Sequence, residues 1–326
     1  MKTTTRLLFG AVLAAAVSIA GAASAQVKIA LDSPPDMEGS GSYVWAHTFS
    51  TYLNDHGVKA EEFQRGALGG DEELFDQVSQ GLLEVSMSPL NIVGSIDKLI
   101  FGLRLPYFFA SQEEVDHALY EGGMLEKINA ATTPAGVRVI GVNTVGQATG
   151  IFNTKKPVKS VADMAGLRMR ALDESQIELF KAWGASGTIV SWAEVPNALQ
   201  TGVADGYLNP AFVPLLFGHT DFIKFFTDAA ISPSLRITIV SESWYQGLSA
   251  EDRATVDAAV GEANKANRAW LATQDAVFGK LEAAGVAIEK LDQAARDAFR
   301  AASAPAYNSD LLTQEQIAGW EAAKGM

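Results

Sequence analysis

The alternation of apolar and polar positions in the first part of the chain follows a strand–helix order. Val27 to Leu31 and Val58 to Phe63 read as strands, and the residues between them carry apolar positions at helical spacing. Asp71 to Leu82 is predicted as a helix with acidic residues in its first turn, and Val85 to Met87 as a third strand. This β-α-β-α-β order favours an open, largely parallel α/β sheet.

A second α/β unit is predicted between Val158 and Pro210. It begins with a short helix that ends at Gly166, a residue type that adopts positive φ cheaply just past a helix end. On the next strand, Leu167 to Leu172, Arg168 and Arg170 share one face and the apolar residues share the other. An arginine on a rigid strand can hold a carboxylate through two parallel hydrogen bonds. The alternative is that both arginines are solvated charges on the strand face.

Helices dominate the pattern after the second unit. A strand at Leu235 to Val240 is predicted to return the chain to the first unit. Ser249 to about Ala284 is predicted as one very long helix, because its apolar positions step by three or four, with Thr273 the one polar member. The other elements predicted after residue 100 are Ser111 to Tyr120, Met124 to Thr132, Gln293 to Ala302 and Thr313 to Ala322 as helices, and Val137 to Val145, Gly150 to Asn153, Thr188 to Val190, Ala204 to Leu208 and Val286 to Ile288 as strands.

Composition excludes several classes of protein. The formal charge is −13, and a nucleic-acid partner is not expected because phosphate binding depends on clustered Lys and Arg. The chain contains no cysteine, which excludes disulfides, a thiol nucleophile and a zinc–thiolate site. Neither a His-Glu-x-x-His metal motif nor a Gly-x-Ser-x-Gly nucleophile elbow is present. We therefore predict no cofactor, no metal and no catalytic residues.

The first 25 residues have the pattern of a secretory signal peptide. Lys2 and Arg6 give a positive start, Leu7 to Ala20 is an apolar run too short to span a membrane comfortably, and Ala23-Ser24-Ala25 is a small-residue cleavage site. The mature chain is therefore predicted to begin at Gln26, after cleavage behind Ala25. No later segment is long and apolar enough to be membrane-embedded, so we expect a periplasmic protein.

Short motifs along nearly the whole mature chain resemble one family in their order and spacing. Leu68-Gly69-Gly70-Asp71-Glu72 is similar to its Leu-Gly-x-Asp segment, and Leu105-Pro106-Tyr107-Phe108-Phe109 to its Leu-Pro-Phe segment. The other residues that carry the resemblance are Asp163, Gly166, Leu167, Arg168, Arg170, Gly184, Ala185, Glu194, Ala198, Leu199, Gln200, Gly202, Asp205, Gly206, Asn209 and Pro210. The family is that of the solute-binding proteins of tripartite ATP-independent periplasmic (TRAP) transporters, dicarboxylate-binding type.

The resemblance implies an α/β, two-domain periplasmic binding protein fold with mixed, mostly parallel sheets and a long domain-spanning helix. On this basis residues 26–143 and about 232–265 form domain I. Residues 144–231 and about 266–326 form domain II, and the ligand cleft lies between the two domains.

The resemblance also implies residues of the ligand site. In the family, the arginine at the position of Arg170 clamps the ligand carboxylate, and the asparagine at the position of Asn209 hydrogen-bonds it. Trp192 falls where the family commonly places an aromatic or apolar residue against the ligand. From residue type alone, Asn209 could instead be a turn residue before Pro210, and Trp192 could be a core tryptophan.

Two further positions bear on the charge of the ligand. Asp32 ends the first strand, where doubly wound sheets bind ligands. We hypothesise that it faces a hydroxyl, an amine or another cationic group of the ligand; the alternative is that it caps backbone amides. Many relatives carry a second arginine near the position of Thr149, with Gln147 close by. Here these two residues offer neutral hydrogen bonds, so a clamp of two arginines is not expected. Three other arginines have no predicted place in the cleft: Arg65, Arg104 and Arg236.

The function that the resemblance implies is that of an extracytoplasmic solute receptor rather than an enzyme. It would capture a small organic acid, namely a carboxylate, a sulfonate or a zwitterion. It would then deliver this ligand to a TRAP permease, made of a small and a large membrane subunit, for ion-gradient-driven uptake. A periplasmic sensor module and a secreted α/β hydrolase or lyase are the alternatives.

Overall fold

The computed structural model describes residues 26–308 and 310–325. The predicted signal peptide, residues 1–25, and its cleavage site lie outside this part of the chain. None of the helices within it has both the length and the apolar character needed to cross a membrane.

The strands and helices form two α/β units. The strands are β1 (Val27–Ala30), β2 (Ala60–Phe63), β3 (Val85–Ser88), β4 (Val137–Gly146), β5 (Gly150–Asn153), β6 (Arg168–Ala171), β7 (Ser186–Ile189), β8 (Gly206–Asn209), β9 (Phe225–Asp228), β10 (Ser234–Ser241) and β11 (Ala287–Lys290). The helices are α1 (Gly41–Asp55), α2 (Asp71–Ser79), α3 (Leu90–Gly94), α4 (Gln112–Asp116), α5 (Met124–Thr132), α6 (Glu174–Ala182), α7 (Val195–Thr201), α8 (Val213–Phe217), α9 (Glu242–Gly247), α10 (Ala250–Leu271), α11 (Val277–Ala283), α12 (Gln293–Ala302) and α13 (Gln314–Ala323).

The two sheets are both mixed, which confirms the predicted fold class. The first has the order β2-β1-β3-β10-β4 and the second the order β11-β9-β5-β8-β6-β7. In the first sheet β1 pairs in parallel with β2 and β3, while β10 runs antiparallel to β3 and β4. In the second sheet β6 pairs in parallel with β7 and β8, while β5 runs antiparallel to β8 and β9.

The chain passes between the sheets at several places. β4 belongs to the first sheet and β5 to the second, so the first passage lies at residues 147–149. β9 belongs to the second sheet and β10 to the first, so the chain returns at residues 229–233. Near these passages Thr149 and Ser232 are tied by a backbone hydrogen bond of 2.8 Å. The two passages are therefore neighbouring segments, and we call them the hinge between the two units.

Each sheet is covered by helices on both faces. Trp45 and Phe49 of α1 pack with Val256 and Ala259 of α10 on one face of the first sheet. The second sheet has the same construction, with Phe180 of α6 in one of its cores. This double cover explains why inner strands such as β3 and β5 are buried along their whole length.

The predicted long helix is interrupted in the structure. α10 ends at Leu271, and α11 begins at Val277 after a turn and a short 3₁₀ segment. The hydroxyl of Thr273 donates to the carbonyl of Trp270 at 2.7 Å, and the Thr273 amide donates to the same carbonyl at 2.9 Å. This local bonding competes with the helical ladder. α10 packs on the first unit and α11 on the second, so the interrupted rod still spans both.

The C-terminal helix α13 packs on the first unit, although the sequence assigns residues 266–326 to domain II. Trp320 is fully buried in a core around the first sheet, and its indole N–H donates to the carbonyl of Leu99 at 2.9 Å. The chain therefore returns once more to the first unit after β11. The predicted domain limits stay a prediction, but α13 belongs by packing with the first sheet.

Other elements differ from the sequence prediction in type or extent. The helix predicted from Ser111 to Tyr120 is the short α4 followed by a π-helical turn, His117–Glu121. The short helix before Gly166 is a 3₁₀ turn, Val161–Met164, closed by a capping box. Gly166 has φ +80°, as a left-handed stop after a helix requires. The strand β9 was not predicted.

Candidate ligand site

A cavity of about 620 Å³ lies between the two units, at the strand ends of both sheets. Of the predicted site residues, it is lined by Arg170, Asn209, Trp192 and Thr149. β6, β7 and β8 are parallel neighbours, so their carboxyl ends meet at one edge of the second sheet. Such an edge is where α/β sheets place their ligands.

Arg170 reaches this edge from the interior of β6. Met169 and Ala171 point into the core on the opposite face, as strand alternation requires. Arg168 shares the face of Arg170, but its side chain is 51% exposed and binds Asp205 through two hydrogen bonds of 3.1 and 2.8 Å. Arg170 is 3% exposed. The two arginines therefore share a face and differ in depth, and only Arg170 lines the cavity.

The guanidinium of Arg170 is buried without a counter-ion among the described residues. Its Nε donates to the carbonyl of Val190 at 2.8 Å, and its Nη2 is buried without a hydrogen-bond partner. Burial, reinforced by the positive charges of Arg236 and Arg104, lowers the pKa of Arg170 to about 10. The side chain still carries its charge at neutral pH. A buried cation without a counter-ion destabilises the folded state, and binding of an anion beside it relieves this penalty.

Aromatic side chains fix the position of Trp192 beside this cation. The guanidinium of Arg170 lies 5.7 Å from the centroid of the Trp192 ring. Trp192 meets Phe217 and His219 with ring-centroid distances of 5.1 Å each. Behind it, the hydroxyl of the fully buried Tyr207 and Nδ1 of His219 lie 3.2 Å apart. Burial lowers the pKa of His219 to about 4, so the ring is neutral and adds no positive charge near Arg170.

Asn209 and Thr149 line the cavity from adjacent chain segments, whereas Gln147 does not. Asn209 is the last residue of β8 and pairs in register with Gly150 of β5. Thr149 comes immediately before β5 and is 9% exposed. The side-chain amide of Gln147 donates to the carbonyl of Gln274 at 2.5 Å. Gln147 therefore contacts the segment between α10 and α11.

Asp32 holds the arginines of the cavity wall and does not line the wall itself. It is 6% exposed, and its Oδ2 accepts hydrogen bonds from Nε of Arg236 at 2.9 Å and from the Ser42 hydroxyl at 3.2 Å. The carbonyl of Asp32 accepts from Nη1 of Arg65 at 2.7 Å. Arg65 and Arg236 both line the cavity. The carboxylate of Asp32 was expected to face the ligand. In the structure it instead compensates the charge of Arg236, which lines the cavity.

Arg104 brings a further positive charge to the cavity and joins the two units. It ends a 3₁₀ segment, Lys98–Arg104, on the side of the first sheet. It forms an ion pair with Asp173 at the start of α6, on the side of the second sheet. Both side chains are 12% exposed.

Four arginines thus line one cavity in a chain whose overall charge is strongly negative. Three of them have carboxylate partners: Arg65 with Asp71, Arg104 with Asp173 and Arg236 with Asp32. Sequence reasoning had not placed these three. A signal existed for Arg65 and Asp32, because both follow the ends of neighbouring parallel strands, where side chains converge. No sequence pattern pointed to Arg104, which the tertiary structure brings in.

Comparison with known proteins gives one consistent result. A family model described as bacterial extracellular solute-binding protein, family 7, matches residues 33–313. The ectoine/5-hydroxyectoine-binding periplasmic protein UehA of Ruegeria pomeroyi is 26% identical over 324 residues, which cover 94% of this chain and 86% of that protein. The uncharacterized protein YiiZ of Salmonella typhimurium is 27% identical over 204 residues, and the alignment covers 62% of each chain.

The fold is also that of solved solute-binding proteins. A TRAP periplasmic solute-binding protein from Anaerococcus prevotii, solved with bound D-glucuronate, superposes with a TM-score of 0.82 at 20% identity. The alignment covers 92% of this chain and 97% of that one. At this level of identity the likeness concerns the fold, and it agrees with the two mixed sheets described above.

Proposed function

Because the chain belongs to the bacterial extracellular solute-binding proteins of family 7, we propose that it captures a small organic acid in the cavity between its two units and delivers it to a TRAP permease. The family and the relatives are substrate-binding receptors and not enzymes. A hydrolase or lyase is therefore excluded. Delivery to a permease of small and large subunits, and location in the periplasm after signal-peptide removal, follow from the family as parts of the proposal.

The observation that carries the proposal is the uncompensated charge of Arg170. A carboxylate placed against its guanidinium would accept the hydrogen bond that Nη2 lacks and would neutralise a buried cation. Asn209 and Thr149 would add neutral hydrogen bonds beside it, and Trp192 would give the ligand an apolar surface. The family resemblance implies the same roles for Arg170 and Asn209, namely a carboxylate clamp and a hydrogen-bond partner of the ligand.

The charge balance of the wall narrows the ligand class. Arg65, Arg104 and Arg236 have their own carboxylates, whereas Arg170 is the one cavity arginine without a carboxylate partner among the described residues; Glu72 and Glu73 add negative charge to the same wall. Asp32 is taken up by Arg236 and no longer calls for a cationic group on the ligand. We therefore favour a monoanionic acid with several hydroxyl groups, which the N–H groups of the other arginines can bind. The cavity is large enough for a ligand of sugar size.

Known relatives bind ligands of this size. The Anaerococcus protein holds glucuronate, a hydroxylated monocarboxylate, and UehA is named for ectoine and 5-hydroxyectoine. These ligands are compatible with a single carboxylate clamp. The ligand has to be determined by measurement for this chain, because relatives at a similar level of sequence identity bind different ligands.

A thermal-shift screen of the mature chain, starting at Gln26, tests the proposal. Three groups of compounds are compared: hydroxylated monoacids such as uronates and aldonates, dicarboxylates such as succinate, and zwitterions such as ectoine. A ligand at about 100 times its dissociation constant adds about 2.7 kcal/mol to the free energy of unfolding. We expect the largest rise in melting temperature with a hydroxylated monoacid. A preference for dicarboxylates would contradict the single-charge argument.

A matched pair of variants then connects the hit to the site. Arg170→Ala removes the proposed clamp, and Arg168→Ala removes an arginine from the same strand face outside the cavity. The response must disappear in the first variant and persist in the second. Uptake of the same ligand into proteoliposomes that contain the permease subunits, with and without this protein, tests delivery and separates a transport receptor from a sensor module.

A further inference from the structure

A second cavity, of about 280 Å³, lies on the hinge between the two units. Tyr107 and Phe108 line it from the segment between Arg104 and α4; Phe108 belongs to a core of the first unit, whereas the Tyr107 side chain packs on a core of the second. Ala230 lines it from the passage between β9 and β10, and Arg296 and Arg300 line it from α12, on the second unit. The volume is several times the about 30 Å³ that one water molecule occupies in the liquid. The cavity can therefore hold a small ion together with water.

The walls of this hinge cavity carry an excess of positive charge. Arg296, Arg300 and Lys324 line it, together with a single acid, Glu114. One carboxylate oxygen of Glu114 already accepts a hydrogen bond of 2.8 Å from the backbone N–H of Ala110. The lining side chains thus sum to a formal charge of 3 − 1 = +2. The carboxylates that contact these cations, those of Asp228, Asp297 and Glu321, belong to residues that do not line the cavity.

Two hydrogen-bond donors of this cavity are buried without partners among the described residues. They are the hydroxyl of Tyr107 and Nε of Arg296. Burial raises the pKa of Tyr107, against the attraction of Arg296 and Arg300, so the hydroxyl stays protonated and remains a donor. Buried donors without an acceptor are rare and costly in native structures. Both therefore point to an acceptor that the protein chain does not supply.

The backbone beside the cavity is held in an unfavourable conformation. Tyr107 and Ala230 are the two described non-glycine residues with positive φ, at 59° and 47°. The amide of Tyr107 donates to the carbonyl of Ile231 at 2.6 Å, which ties the two strained segments together. Strain of this kind persists at sites where the surrounding structure over-determines it, often for function. Here it orients Tyr107 toward the charges of α12, since the guanidinium of Arg300 lies 5.6 Å from the Tyr107 ring centroid.

The cations of the hinge cavity have donors left for a ligand. Arg296, Arg300 and Lys324 each have one carboxylate neighbour, at 3.4, 3.2 and 3.2 Å respectively. An arginine offers five N–H donors, so each of the two arginines keeps donors for a ligand, whereas Lys324 also donates to the carbonyl of Phe108 at 3.1 Å and keeps one of its three. The cations come from two elements, α12 and the end of α13, and the hydroxyl of Tyr107 comes from a third segment. This geometry suits an anion with several oxygens better than a planar carboxylate.

We propose that the hinge cavity binds a small tetrahedral oxyanion, such as inorganic phosphate, held by Arg296, Arg300, Lys324 and the hydroxyl of Tyr107. The anion contacts both units in the arrangement that also forms the ligand cavity. It therefore stabilises that arrangement and raises the affinity of the cleft for its own ligand. By linkage, the ligand of the cleft raises the affinity for the oxyanion by the same factor.

Calorimetric titration of inorganic phosphate into the mature chain tests this inference, with chloride used to keep the ionic strength constant. We expect one phosphate per chain. Arg300→Gln should lower the affinity for phosphate by about tenfold or more, because a charge-assisted hydrogen bond is lost. Tyr107→Phe, which keeps the ring, should lower it several-fold. The matched control is Lys265→Gln, which removes one positive charge from a side chain that is 78% exposed, and it should bind phosphate like the unaltered chain.

The same titration distinguishes the hinge cavity from the ligand cavity. Arg170→Ala should leave phosphate binding unchanged. Loss of binding in Arg170→Ala, with retention in Arg300→Gln and Tyr107→Phe, would assign the anion to the cleft and overturn the proposal. Absence of binding at the highest soluble phosphate concentration would overturn it as well. Circular dichroism and a cooperative unfolding transition establish that each variant is folded.

Discussion

Replacing Arg170 with Met is expected to change stability and ligand affinity in opposite directions. The change removes the charge and keeps a side chain of similar length in a site that is 3% exposed. Folding lowers the pKa of this arginine from its ordinary 12.5 to about 10, which corresponds to about 3 kcal/mol of penalty on the charged form. For a base with a lowered pKa the full penalty is present at every pH below the folded value, and thus at neutral pH.

The magnitudes follow from the contacts of the guanidinium. Removing the charge relieves about 3 kcal/mol, while the lost hydrogen bond to the carbonyl of Val190 costs about 1 kcal/mol. The ligand-free variant should therefore be more stable by on the order of 2 kcal/mol. Ligand binding should weaken by about 2–5 kcal/mol, the range for removing one member of a buried charge pair. This corresponds to about thirtyfold to a few thousandfold in the dissociation constant.

Arg168→Met is the matched control for this prediction. It alters the same strand face, but its arginine lies outside the cavity and binds the carboxylate of Asp205, whose side chain is 4% exposed. Its loss should lower stability and leave ligand affinity unchanged. Urea denaturation measures the stabilities, and calorimetry measures binding of the strongest ligand from the screen. Near-native affinity in Arg170→Met, or a lower stability of its ligand-free form, would refute the account of this site.

Three other changes give separate tests. Asp32→Asn should leave Arg236 as a second uncompensated cation at the cavity wall. The affinity for dicarboxylates relative to monocarboxylates should therefore rise by about tenfold. Competition calorimetry measures this ratio of affinities, and an unchanged ratio would contradict the role given to Asp32. Burial lowers the pKa of His219 to about 4, so as the pH falls the imidazole is protonated in the unfolded chain before it is protonated in the folded chain. The free energy of unfolding should therefore fall as the pH drops from about 6.5 to about 4. Urea titrations across this range should show a smaller fall in His219→Gln. Ala230→Gly should raise the free energy of unfolding by up to about 1 kcal/mol, since glycine adopts φ 47° without the cost that alanine bears, and a lower value would mean that this residue is not strained.

Local sequence patterns predicted the parts of the structure that depend on local interactions. Met124 to Thr132 and Gln293 to Ala302 were predicted with the bounds that α5 and α12 have. The strand with Arg170 was also predicted, because strand alternation and a glycine stop are both short-range signals. Resemblance to the family then added the roles of Arg170 and Asn209, which no local pattern supplies and which stay predictions.

Contacts between residues far apart in sequence account for most of what was missed. Asp32 and Arg236 are 204 positions apart, and their pairing follows from the order of the strands in the first sheet. Arg104 reaches the cavity through an ion pair with Asp173 on the other unit. The interruption of the long helix at Thr273 depends on hydrogen bonds that an apolar repeat does not reveal. The balance of charges around a cavity depends on which side chains the tertiary structure brings together. The class of ligand could therefore be inferred only from the structure.

The packing of α13 on the first sheet has a consequence for how the protein assembles. Trp320 fills a core whose other members begin with Ala30, so nearly the whole length of the chain separates the pieces of one folding unit. That core cannot be completed until α13 has been synthesised and has packed against it. Contacts of such high sequence separation slow folding. The same feature that completes the first unit is therefore expected to delay its folding.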